Sequence, residues 1–124
     1  MKDSRDKKKL GDIGEELAVK HLRKKGLRIL CTKWIYQHKE IDIVAEDDDY
    51  LIIVEVKTRH ISFLESPEEM FPMKKQRSLI DAAEAYLMIH DVEKETRFDI
   101  IIVVFENETP TIEHIEDAFQ PGII

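Results

Sequence analysis

Two short segments carry acids where acids are poorly suited. Glu40-Ile41-Asp42-Ile43-Val44-Ala45 and Ile52-Ile53-Val54-Glu55-Val56-Lys57 both read as strands of β-branched residues. Asp, Glu and Lys are depleted in strands, so Asp42, Glu55 and Lys57 at the end of apolar runs ask for a reason. The chemistry that fits is a divalent metal acting on a phosphodiester bond. Asp47-Asp48-Asp49 reads as a tight antiparallel connection. With Glu46 to Asp49 as the loop, Ala45 pairs with Tyr50, Asp42 faces Ile53, and Glu40 faces Glu55. Period-two alternation then puts Glu40, Asp42, Glu55 and Lys57 on one face, with Asp42 and Glu55 as diagonal neighbours. Carboxylates converging there raise one another's pKa unless a cation sits among them. Mg²⁺, which takes oxygen ligands and keeps several waters, suits that place. The competing reading is a solvent-facing strand on which Lys57 is an ordinary salt-bridge partner. In a chain that is 36% charged, Glu-x-Lys arises often by chance.

The elements that would position these residues can be read along the chain. Residues 1–9 form a polar, Lys-rich start, expected to be mobile, before a single domain over 10–124. A helix is predicted from about Ile13 to Lys25, with Asp12 as cap, Glu15 in a capping-box position and Gly26 just past its end. A strand follows from about Leu27 to Tyr36, then the two acidic strands. Ser66-Pro67-Glu68-Glu69 marks a helical start. A longer helix spans about Met73 to His90, burying Leu79, Ile80, Ala83, Tyr86 and Leu87. Arg97–Phe105 is an apolar strand and Thr111–Ile115 a last edge strand. The order α-β-β-β-α-β-β predicts an α/β (α+β) fold, a central mixed sheet flanked by helices.

Composition narrows the function classes. The net charge of −7 is unevenly spread. Residues 1–39 hold 12 Lys/Arg against 5 Asp/Glu, and residues 40–124 hold 7 against 21. A basic first third is suited to phosphate contacts, and equally to a solvated helix face. No apolar run approaches a membrane span, and no apolar h-region follows the charged start. The expected location is the cytoplasm, with no membrane partner. The single cysteine, Cys31, excludes an intramolecular disulfide and a cysteine-rich zinc site, and reads as a small strand hydrophobe. The five histidines show no ligand spacing, and Trp34 and Tyr86 read as core.

The element order and the acids on the second and third strands resemble the restriction-endonuclease-like fold with its PD-(D/E)xK signature. The ordered motifs Gly14-Glu15-Glu16-Leu17-Ala18, Glu40-Ile41-Asp42-Ile43-Val44-Ala45, Val54-Glu55-Val56-Lys57-Thr58-Arg59, Lys75-Gln76 and Arg97-Phe98-Asp99 resemble those of the YraN-like family. That is a bacterial family of predicted endonucleases related to archaeal Holliday junction resolvases. The resemblance runs from about residue 10 to 119. Lys39 stands where the family usually has Gly, and the loop after Arg59 lacks the usual Gly.

Position by position, the resemblance implies Asp42 and Glu55 as ligands of Mg²⁺ or Mn²⁺, with the Val56 carbonyl as a third. It implies Lys57 as the residue that orients or deprotonates a water, or neutralises developing charge. Glu15 resembles a helix-borne acid directed at the metal, unless it serves the capping box. Glu40 would stand behind the ligands. Arg59, Lys75 and Gln76 would contact nucleic acid. The alternatives are an ion pair between Arg59 and the next loop, and a solvated helix face for Lys75 and Gln76. The implied function is metal-dependent hydrolysis of DNA, on branched or single-stranded substrates, by a homodimer. The other reading is a catalytically inactive nucleic-acid- or protein-binding module on the same fold.

Overall fold

The computed structural model describes residues 4–120, with side chains from Lys7 onward. The expectation of a mobile lead segment at residues 1–9 falls partly outside them. From Ser4 the chain is helical. Helix α1 spans Ser4–Lys24 and is followed by β1 (Arg28–Tyr36), β2 (Lys39–Glu46) and β3 (Tyr50–His60). A 3₁₀ turn at Ile61–Phe63 leads to the short α2 (Pro67–Met70) and to α3 (Met73–His90). The chain then forms β4 (Glu95–Glu106) and β5 (Thr109–Phe119). The five strands make one sheet in sequential order. All neighbours are antiparallel except β3 and β4, which run parallel. A parallel pair needs a crossover, and α3 supplies it.

The two faces of the sheet carry two cores. Ala18 and Leu22 of α1 pack with Ile43, Ala45, Ile52, Val54, Ile101 and Val103. Leu79, Ala82, Ala83 and Tyr86 of α3 pack with Ile41, Val44, Leu51 and Ile53 on the other side. Trp34 meets Tyr86 edge-on at 5.1 Å, so both aromatic residues belong to the core as expected. Ser66 caps α2 with a full capping box. No helix among the described residues is long and apolar enough to cross a membrane.

Two local expectations are corrected. First, α1 begins at least nine residues before Ile13, so Asp12 lies inside the helix and caps nothing. Gly11 and Gly14 argue against a helix there by propensity, but Gly14 is used for packing. It is buried against β3, and a Cβ at Gly14 would clash with the Thr58 hydroxyl. Second, the β2–β3 register differs by two residues. Ala45 pairs with Ile52, not Tyr50, because the Asp47 carboxylate accepts the Asp49 and Tyr50 N–H groups at 2.8 and 2.7 Å and tightens the turn.

The seat of α1 on β3 gives a direct test. Gly14→Ala should destabilise the protein by about 1–3 kcal/mol in urea unfolding, as overpacking does. Thr58→Ala in the same chain should recover most of that loss.

Candidate metal and phosphodiester site

The β2–β3 ladder stops at Ile43 and Val54. One step beyond, its register brings Asp42 opposite Glu55. Here the backbone pairing is replaced by a side chain: the Val56 N–H donates to Asp42 Oδ2 at 2.8 Å. Alternation also breaks at this point. Ile41 packs on the α3 side, and Ile43 packs on the α1 side. The sheet therefore forks at Asp42. Acids from α1 and bases from α3 reach the fork from opposite faces.

Asp42 is pushed up to about 7. Burial is the main cause, followed by the Glu55 carboxylate beside it, which lies close enough to share a hydrogen bond. The Val56 N–H and Lys57 oppose the shift. Lys57 Nζ lies 3.2 Å from Glu55 Oε2, and the two side chains are only 11% and 14% exposed. On the α3 side, Lys75 lies close to Lys57. That neighbouring cation, before burial, pulls Lys75 below its ordinary range. Two acids and two lysines thus crowd a half-buried fork. Two half-buried carboxylates side by side are an oxygen donor set, and a hard divalent cation fits it.

Glu15 has no cap to serve, and its carboxyl faces the same fork. Burial raises its pKa, Lys33 opposes the shift, and the Asp42 and Glu40 charges add to it. Lys33 Nζ lies 3.1 Å from Glu15 Oε1. Lys33 escaped the sequence reading, since nothing in Thr32-Lys33-Trp34 shows that its side chain turns to α1. Glu40 is exposed and acts on Glu15 rather than facing Glu55.

The three residues expected at nucleic acid differ. Lys75 is exposed beside Lys57. Arg59 is held by Glu65 of the following loop at 2.6 Å and by the Thr58 carbonyl at 2.9 Å, the ion pair weighed as its alternative. Gln76 donates to the Phe71 carbonyl at 3.2 Å and fastens the start of α3.

A second polar centre lies at the β4–β5 edge, where Arg97-Phe98-Asp99 was singled out as a motif without a role. Asp99 is the only fully buried charged residue described. Arg97 holds it in a fork through Nε and Nη2, both at 2.9 Å. His114 Nε2 lies 2.7 Å from Asp99 Oδ2, and the Asp117 N–H donates to Oδ1 at 3.0 Å. His114 Nδ1 in turn lies 3.0 Å from Nε2 of His21 on α1. An ionised carboxylate only accepts, so the His114 Nε2–H donates to it, while Nδ1 of the same ring pairs with His21. Burial works to raise the Asp99 pKa, but hydrogen bonds from His114, Arg97 and Asp117 outweigh it and hold Asp99 below the ordinary carboxylate range. Asp99, His114 and Glu116 could by geometry hold a metal. Arg97 Nη2 stands 2.9 Å from Asp99 and 3.6 Å from Glu116, so the guanidinium already supplies the cation there. This centre locks β4, β5 and α1 together.

A model of the Uncharacterised protein family UPF0102 matches residues 14–103. The chain is 46% identical over 110 residues to a UPF0102 protein of Flavobacterium psychrophilum, which covers 89% of this chain and 92% of that one. It is 40% identical over 114 residues to a UPF0102 protein of Bacteroides thetaiotaomicron, covering 92% and 94% of the two chains. Over 119 residues it is 37% identical to one from Myxococcus xanthus, covering 95% and 94%.

The two centres predict opposite pH behaviour. The folded pKa of Asp42 is raised, so its contribution is fully present below 3.8 and lost as pH rises to about 7. Asp42→Asn should therefore stabilise the protein at pH 8, on the order of 2 kcal/mol in urea unfolding, with the gain vanishing near pH 4. The folded pKa of Asp99 is depressed from 3.8, so its contribution is present at neutral pH and lost in acid. Asp99→Ala should cost about 3–5 kcal/mol at pH 7 because it strands Arg97. That difference should shrink as pH falls below 3.8.

Proposed function

The chain belongs to the Uncharacterised protein family UPF0102, and from the carboxylates at its sheet fork we propose that it is a metal-dependent nuclease hydrolysing phosphodiester bonds in DNA. The observation that carries this reading is Asp42 against Glu55 with Lys57 3.2 Å away, all on strands that meet at the fork. The arrangement agrees with the PD-(D/E)xK pattern of restriction-endonuclease-like enzymes. Asp42 and Glu55 would hold Mg²⁺ or Mn²⁺, with the Val56 carbonyl as a third oxygen. When bound, the ion would supply Lewis acidity toward a phosphate oxygen and acidify a water.

The chain's own residues do the rest. Lys57 is kept near Glu55 and out of bulk water, where its charge acts strongly on a phosphate beside it. Lys75 extends the positive edge on the α3 side. The Val56 N–H fixes the orientation of Asp42. The likeness to resolvase-like enzymes suits branched or single-stranded DNA. A homodimer would address the two equivalent strands of a junction.

The net charge of −7 and the engagement of Arg59 by Glu65 favour a second reading, a binding module without catalysis. One experiment separates the two. The protein is incubated with labelled linear, nicked, single-stranded and four-way-junction DNA in Mg²⁺, in Mn²⁺ and in chelator. Cleavage is expected only with metal, and Asp42→Ala, Glu55→Ala and Lys57→Ala should each slow it at least about 100-fold. Junction binding that persists in chelator with no cleavage by wild type would favour the binding module.

A further inference from the structure

Lys33 stands at a strained place. Its φ of +51° is in the left-handed region, which non-glycine residues seldom adopt inside a strand. The β1–β2 register runs through without insertion from Thr32 opposite Ile43 to Trp34 opposite Ile41, which puts Lys33 across from Asp42. Alternation breaks on both strands at this step. Cys31 and Trp34, three residues apart, pack on the α3 side, as do Ile41 and Val44. The kink sends the Lys33 ammonium to α1. There it meets Glu15 Oε1 at 3.1 Å and Asp12 Oδ1 at 3.5 Å. The Glu15 side chain is 15% exposed, whereas Lys33 is 51% exposed and can leave for solvent or for a ligand. Strain retained beside a candidate site points to a use there.

We propose that Lys33 is a built-in counter-ion for Glu15, which hands its ammonium to a backbone phosphate of the nucleic acid and so frees Glu15 for the divalent ion. This rests on the nuclease reading of the fork and deepens it. A cation on Glu15 opposes metal binding by Coulomb repulsion and by occupying Oε1. A phosphate that draws Lys33 away removes that opposition. Substrate and metal then tighten each other's binding, because coupling between two ligands is reciprocal. Lys33 is thus a positioning residue in the free protein and a phosphate contact in the complex. Lys57 is unsuited to this part, since its ammonium is held at 11% exposure between Glu55 and Lys75.

The test uses Lys33→Asn, because Asn tolerates the left-handed backbone. Lys33→Gly serves as a second variant and Lys33→Arg as the conservative one. Calorimetry with Mn²⁺ and no DNA is the first readout. Lys33→Asn should bind Mn²⁺ about five-fold more tightly than wild type, and Lys33→Arg should behave as wild type. In a Glu15→Gln chain the gain should disappear. The second readout is binding of a four-way-junction DNA in chelator. There the slope of log affinity against log salt should fall by about 0.9 in Lys33→Asn, the loss of one phosphate contact.

A gain of equal size with and without Glu15 would show a general field effect and overturn the proposal. Unchanged Mn²⁺ affinity, or an unchanged salt slope, would overturn it as well. Wild type showing no Mn²⁺ binding that Asp42→Asn removes is a different failure. It would refute the metal reading of the fork, and the Lys33 proposal with it.

Discussion

Everything near the candidate site follows from one electrostatic constraint: two carboxylates share a volume from which water is largely removed. Asp42 and Glu55 come together because their strands part, and the Val56 N–H that would have faced a backbone carbonyl turns to Asp42 instead. A hydrogen bond to a charged acceptor is among the stronger ones, yet it does not offset the burial of Asp42 and the nearness of Glu55. The surrounding charges answer that imbalance. Lys57 and Lys75 approach from one side, and Glu15 with its Lys33 from the other. A protein built only to be stable would place apolar residues at such a fork.

The second polar centre shows the same physics resolved differently. Asp99 is more completely buried than Asp42, yet it is held ionised, because a guanidinium, an imidazole and a backbone N–H all aim at it. One acid is fully satisfied and serves as a lock, and the other has its burial only partly offset. The contrast within one sheet separates the structural centre from the candidate functional one. The family match establishes kinship with UPF0102 proteins and is silent on chemistry.

The sequence carried the order of elements and the bounds of α3, because helix and strand periods differ and Pro72 separates the preceding turn from the helix. It carried the nearness of Asp42 and Glu55 for a different reason, unsuitable residues in apolar runs, though as diagonal neighbours rather than opposite ones. It did not carry the β2–β3 register, which depended on which N–H groups the Asp47 side chain would accept. The start of α1 was hidden by the low helix propensity of Gly11 and Gly14, of which Gly14 is used for a close approach to Thr58. The His21–His114–Asp99 chain and the reach of Lys33 are contacts between residues far apart in sequence. Arg97 and Asp99, two apart on one strand, were visible as neighbours. His114 was not, because its place depends on the irregular β4–β5 pairing around Asp99.

The kinks in β1 have a consequence at the margin of the sheet. A long outer strand presents a row of unpaired backbone groups onto which a foreign strand can add. On β1 that row is interrupted twice, by the register shift between Ile29 and Cys31 and by the left-handed Lys33. On β5 it is interrupted by Pro110 and by the left-handed Asp117. Neither rim offers a straight template to another chain. Ile35 and Leu30 are exposed on β1, so those interruptions guard the protein against templated aggregation where its apolar rim is most open.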